Sequence, residues 1–253
     1  MLQLQFNSVG TIKRQKMFKQ FLFSTIALVT LGLASAFAQK SVNQLDEEGK
    51  RHGLWTKNYH NTDQKRYEGV FVHGKEVDTF KYYTLSNGKS VLSALKVFNK
   101  KDNISDVTFL ASNKKVISEG KMNGKNFVGK WVYYHKNSDK KMIEENYGND
   151  GKLEGLRKVF YENGVIADQT NYKNGKLNGE AKWFSENEKL IKIANYENGE
   201  FHGDYVSYDK EGQVATKGTY VKDRKRGIWH YYESGEEIKR INHTTNEVLF
   251  KKE

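Results

Sequence analysis

The chain has 253 residues, with 42 Lys and Arg against 31 Asp and Glu, and neither cysteine nor proline. Without thiols there are no disulfides, thiolate metal sites or cysteine nucleophiles; proline cannot donate to a sheet ladder, so its absence suits a chain that is mostly strand. The charge is scattered: the longest basic run, KDRKRG at 222–227, contains an acid. A nucleic-acid binder gathers its Lys and Arg on one face, so no nucleic-acid partner is expected.

Residues 1–38 differ from all that follows. Lys13, Arg14, Lys16 and Lys19 precede an uncharged apolar run, FLFSTIALVTLGLASAFA at 21–38, which ends in Ala36-Phe37-Ala38 before Gln39. A basic stretch, an apolar stretch and a small-residue site describe a helical secretory signal peptide cleaved between Ala38 and Gln39. Met17 is an alternative start, because the segment from there already has every part. The run is only marginally long enough for a membrane span, which needs about 20 residues. The expected address is therefore outside the cytoplasm, in the periplasm, the outer envelope or the medium. Removing four basic residues and no acids leaves 38 Lys and Arg against 31 Asp and Glu, a balance of +7.

Residues 39–48 read as a short linker and 49–253 as a single array of repeats about 24 residues long. The clearest copies are NYKNGKLNGEAKWF (171–184), NYENGEFHGDYVSY (195–208) and TYVKDRKRGIWHYY (219–232). The position just before each aromatic strand falls at Gly53, Asp78, Ser105, Gly129, Gly155, Gly179, Gly203 and Gly227, which makes eight copies. One unit this short cannot bury its own apolar face, so neighbours must stack. Function is then expected from an extended surface and not from a deep cleft.

Each copy has two short runs rich in Tyr, Phe, Trp, Val and Ile, separated by Asn-Gly-type turns. One turn of the unit uses Asn123-Gly124, Asp150-Gly151, Asn174-Gly175 and Asn198-Gly199. The other uses Asn87-Gly88, Asn163-Gly164, Glu211-Gly212 and Ser234-Gly235. Such dipeptides suit type I′ turns, which need positive φ at both central residues. The predicted fold is all-β: about eight consecutive hairpins, or 16 strands, in one elongated, twisted antiparallel sheet. The repeat glycines Gly53, Gly129, Gly155, Gly179, Gly203 and Gly227 are expected to let the backbone bend where a neighbouring ring would otherwise collide.

Large residues recur two, four and five positions after that anchor. Trp131, Tyr133 and Tyr134 form one set, and Trp229, Tyr231 and Tyr232 another. Phe80, Tyr82 and Tyr83 repeat the pattern, as do Trp183 with Phe184 and Tyr205 with Tyr208; Trp55 serves the first copy. Copies stacked in register would align these rings in rows. A row of rings along one face is the candidate binding surface, able to stack sugar rings or a peptide strand.

The motifs GKWVYY (129–134), NGKLNG (174–179) and GIWHYY (227–232) resemble the MORN repeat, in its bacterial variant form, over about residues 49–250. The resemblance implies an elongated, twisted sheet of consecutive hairpins. For function it implies scaffolds, membrane-proximal proteins and phospholipid binding among eukaryotic relatives. Many bacterial relatives carry the label of an antitoxin. An antitoxin meets its toxin in the cytoplasm, which is at odds with an export signal.

The sequence nominates no catalytic, cofactor or metal residue. His52 and His202 occupy equivalent turn positions, and His230 lies among strand aromatics. Glu144-Glu145 and Glu236-Glu237 are adjacent on strands, so their side chains point to opposite faces. The glycines sit at hairpin turns and not before a helix, which is unlike a phosphate cradle. The expected function is an exported, non-catalytic module that binds a protein or an envelope glycan. A peripheral membrane protein drawn weakly to anionic headgroups by its +7 charge is an alternative, as is an antitoxin-like neutraliser of a partner toxin. At the ends, residues 237–253 read as a last strand capped by Lys251-Lys252-Glu253, and the N-terminal edge near Trp55 as less protected.

Overall fold

A computed structural model describes residues 41–99, 101–136 and 138–253. The signal peptide and its Ala38–Gln39 cleavage site lie outside the described residues. Within these the chain is all-β, with eighteen strands and no helix. A two-residue strand, β1 (Gln44–Leu45), pairs with β2 (Arg51–Asn58). There follow β3 (Lys65–Val72), β4 (Lys75–Ser86), β5 (Lys89–Phe98), β6 (Ile104–Leu110), β7 (Val116–Asn123), β8 (Asn126–Tyr134) and β9 (Lys141–Tyr147). The second half comprises β10 (Gly155–Phe160), β11 (Ile166–Lys173), β12 (Lys176–Phe184), β13 (Leu190–Glu197) and β14 (Glu200–Tyr208). It ends with β15 (Val214–Val221), β16 (Arg224–Glu233), β17 (Glu236–Asn242) and β18 (Glu247–Lys251). Every strand pairs antiparallel with the next, in one open sheet a single layer thick.

Turn chemistry fixes this order. Asn174-Gly175 and Asn198-Gly199 take φ values of 52° and 79°, and of 54° and 94°, as a type I′ turn requires. Lys222-Asp223 adopts the same left-handed pair, at 49° and 60°, with no glycine at all. Copies are then linked through these turns. The N–H of Gly74, Gly175, Gly199 and Asp223 donates to the carbonyl of Arg51, Leu153, Leu177 and Phe201, at 2.8–3.0 Å. At the far end of the unit the Tyr59 hydroxyl donates to Tyr83 O at 2.6 Å, and that of Tyr161 to Phe184 O at 2.9 Å.

Several details depart from the sequence reading. Of the second set of turns, Asn87-Gly88 and Ser234-Gly235 do make two-residue connections. Asn163-Gly164 and Glu211-Gly212 instead lie within five-residue loops closed by Tyr161 N–H to Val165 O and Asp209 N–H to Gln213 O. On the first side Asp150-Gly151 likewise sits in a loop, closed by Gly148 N–H to Lys152 O. The expected last strand is a hairpin, β17–β18. The expected linker contains β1, whose Gln44 carbonyl accepts the Trp55 indole N–H at 2.9 Å and so covers the N-terminal edge.

The repeat glycines also do a different job from the one expected. Gly129 and Gly203 have φ of 63° and 101°, and a Cβ on Gly129 would meet nothing within 4 Å. They are therefore required by left-handed backbone at a bulge, which a side chain would strain, and not by a nearby ring. In three copies an asparagine closes that bulge: Asn146, Asn171 and Asn195 donate to Leu156 O, Glu180 O and Asp204 O. Room for rings comes from other glycines, in the strand before. A Cβ on Gly69, Gly120 or Gly218 would overlap ring atoms of Phe80, Trp131 or Trp229 respectively.

Gly218→Ala should therefore destabilise the array by about 1–3 kcal/mol through overpacking, and Trp229→Ala by about 3–5 kcal/mol. The double variant should cost less than the sum, because the added methyl enters space the indole has left. Urea unfolding followed by circular dichroism of the four proteins checks this; strict additivity would separate the two residues.

Candidate functional site: the ring face

On one face of the sheet, a central row takes one residue from each strand. Trp55–Gly69–Phe80, Val107–Gly120–Trp131 and Tyr205–Gly218–Trp229 are three bulky–Gly–bulky steps along it. Phe80, Trp131 and Trp229 are 0% exposed. Each is also flanked along the strand direction by a second ring. Phe127 stacks on Trp131 at 3.9 Å, and Tyr220 and Phe71 meet Trp229 and Phe80 edge-on at 4.9 and 5.1 Å. The buried indoles donate to Lys121 O and Thr219 O. These rings are core, so they are not a surface for a ligand.

Between the second and third steps the row changes character. It reads Trp131, Glu145, Arg157, Thr170, Ala181, Ala194, Tyr205. Glu145 is buried and accepts from Arg157 Nε at 3.1 Å and from the Tyr147 hydroxyl at 2.7 Å. Burial, together with the Tyr133 and Glu145 contacts, holds the Tyr147 phenol well above its ordinary pKa. Arg157 Nη1 also lies 3.6 Å from Asp168 Oδ1, a buried oxygen with no hydrogen bond.

The register read from the sequence puts Trp183 four positions after Gly179, level with Tyr133 and Tyr231 and not with Trp131 and Trp229, and the structure agrees. Trp183 stands two residues further on, in a second row with Asp168, Lys192 and Ser207, while Ala181 takes the central position. Along this second row lies an open hollow of about 380 Å³, lined by Asp168, Trp183, Lys192, Tyr205, Ser207 and Tyr208 among others. Lys192 Nζ lies 3.8 Å from the Trp183 ring centroid, a cation–π contact. Burial pushes the Lys192 ammonium below its ordinary pKa and the Asp168 carboxyl above its own, with Arg157 partly opposing the latter.

The remaining sequence-chosen aromatics divide between the faces. Tyr82, Tyr133 and Tyr231 belong to the second row, where Tyr82 donates to Glu76 at 3.2 Å. Tyr83 and Tyr134 bond Glu68 and Glu119 on the reverse face. Tyr232 stacks with His230 on that side, and Phe184 reaches the rim of the hollow. Sequence reasoning missed Asp168, Lys192 and Arg157, and considered Glu145 only as a neighbour of Glu144. Their signal was available as departures from the repeat: GLRKVF and GEAKWF put Arg157 and Ala181 where GKWVYY and GIWHYY have Trp.

Away from the ring rows, the β1–β2 loop, β2 and the β3–β4 turn bring Asp46, His52 and His73 together. One potential ligand atom from each lies within 4.8 Å of the others. His73 Nδ1 is 2.8 Å from Asp46 Oδ2, and the two imidazoles meet edge-on at 5.3 Å.

A single-layered hairpin array with an interrupted ring face defines a repeat-type binding module. Residues 153–174, 177–198 and 201–222 match the MORN repeat variant in three consecutive copies. No curated protein matches the chain. Among solved structures, one similar chain is a mutant of S. aureus TarM in complex with Fondaparinux, alpha-GlcNAc-glycerol and UDP. It is 13% identical, with a TM-score of 0.18, over 54% of this chain and 21% of its own. The present chain thus spans about a fifth of that protein's length.

Two of the perturbed carboxyls, Asp168 and Glu68, predict opposite pH behaviour. Asp168 is raised, so its contribution to stability is present at acid pH and is lost as pH rises through the folded value. Asp168→Asn should raise the unfolding midpoint at pH 7. On the reverse face, hydrogen bonds from Lys65 and then Tyr83 lower Glu68 to about 2 from an ordinary 4.5. Its contribution is present above pH 4.5 and fades towards pH 2, so Glu68→Gln should flatten that acid limb. Midpoints measured across the acid-to-neutral range check both signs.

Proposed function

We propose that this protein is an exported, non-catalytic scaffold of the cell envelope that binds an extended protein or glycan chain along its ring face. The reading rests on the hollow beside Trp183. It is shallow and open, and it joins an indole, a carboxylate, an ammonium and a hydroxyl at Trp183, Asp168, Lys192 and Ser207. Aromatic faces with a few converging polar groups suit sugar rings or a peptide strand. Asp168 supports the same reading, since a buried carboxylate oxygen without a hydrogen bond costs stability and is kept where a ligand makes use of it. The apolar run at 21–38 behind four basic residues supports delivery to the envelope.

Saturable capture from envelope fractions is expected for the wild-type protein. Trp183→Ala should weaken it at least about tenfold while leaving the array folded, because Trp183 lies outside the buried central row. Capture that is unsaturable, or indifferent to Trp183, would sink the proposal. Intact-mass analysis after cell fractionation should find a chain beginning at Gln39 in the soluble envelope or the medium. A full-length chain in the cytosol would remove the export half of the reading.

A further inference from the structure

We propose that Asp46, His52 and His73 form a binding site for a divalent transition-metal ion of the zinc, cobalt or nickel class, at the N-terminal end of the array. Two imidazoles and one carboxylate are the ligand types such ions select. The three come from separate elements, yet their ligand atoms lie within 4.8 Å of one another. A tetrahedral ion bound at about 2.0–2.2 Å holds its ligand atoms roughly 3.3 Å apart, which side-chain rotation at an exposed turn supplies. A fourth position would remain open to water or to a partner's side chain.

The local structure orients these ligands. Asp46 Oδ1 accepts the N–H groups of Lys50 and Glu48 at 2.8 and 3.1 Å, which fixes the carboxylate and leaves Oδ2 directed at His73. His73 is held at a φ of 46° in the turn with Gly74, and Gly74 N–H is bonded to Arg51 O beside His52. The nearby cations are engaged elsewhere: Lys50 pairs with Glu48, and the Arg51 guanidinium lies over the Trp55 and Phe71 rings.

Comparison within the array argues that the fold itself does not need these histidines. The same crossing of turn and strand recurs downstream, where Glu154 and Asn174 stand in place of His52 and His73 and are joined by a 2.9 Å bond from Asn174 N–H to Glu154. Asn178 with Asn198, and His202 with Lys222, occupy it in the next two copies. Only at the first crossing does the β1–β2 loop add a carboxylate to a histidine pair.

The test is equilibrium dialysis and isothermal titration of the untagged chain with Zn²⁺ and Ni²⁺, and visible absorption with Co²⁺. One equivalent should bind, with affinity falling between about pH 7.5 and 5.5 as protons compete for the imidazoles. His73→Asn and His52→Ala should each weaken binding at least about tenfold. His73→Asn should melt with the metal-free wild-type protein, because asparagine already serves that turn position at 174 and 198. Absence of a saturable equivalent in the wild-type protein would overturn the assignment. So would unchanged affinity in a folded His73→Asn variant, since the metal would then sit on other histidines.

Discussion

A sheet one layer thick has no second layer against which to hide its large side chains. This chain buries them within the sheet itself: each indole or phenyl of the central row lies over a strand that has given up its Cβ. Excluding a ring of about 150–250 Å² from water is worth roughly 4–6 kcal/mol, and the neighbouring glycine makes that possible at Phe80, Trp131 and Trp229. Overlap with the flanking rings of Phe71, Phe127 and Tyr220 then excludes water from the open side. Bulges, tight turns and inter-copy hydrogen bonds all serve to keep this row in register.

Where the row departs from that rule, the departure has a cost and a use. Glu145, buried against a partly exposed Arg157, must lose hydration that their attraction only partly returns, and Ala181 forgoes the ring burial available at Trp131. Stability is lower there than the same backbone could sustain. The loss coincides with the hollow that holds Asp168, Trp183 and Lys192, which places the least optimised packing beside the most varied surface chemistry. Proteins concentrate such local conflict at functional sites.

The hairpin succession was legible because Asn-Gly and its equivalents carry their own backbone geometry, at 174–175 and 198–199 above all. Periodicity alone could also reveal the ring positions. It also separates Trp183, four positions after Gly179, from Trp131, two after Gly129, but does not tell which rings are buried, since both positions lie on the same sheet face. The glycine before each aromatic strand looked like clearance for a ring, yet the clearance is supplied one strand earlier, by Gly120 and Gly218. That distinction depends on pairing register, which a single sequence does not display. The meeting of Asp46, His52 and His73 was hidden for a similar reason: it depends on the Gly74 to Arg51 bond between copies and on the path of the β1–β2 loop that carries Asp46.

The ladder between β9 and β10 has two paired positions, Lys158 with Glu144 and Val159 with Ile143, whereas that between β12 and β13 has six. The short ladder coincides with the Glu145–Arg157 step in the central row. The array thus joins two longer-laddered arms through a short seam, reinforced by the Tyr147–Leu153 bridge and by Glu154 N–H to Asn146 O. Any load applied along the sheet, such as a taut polymer drawing on both ends, would reach this seam first.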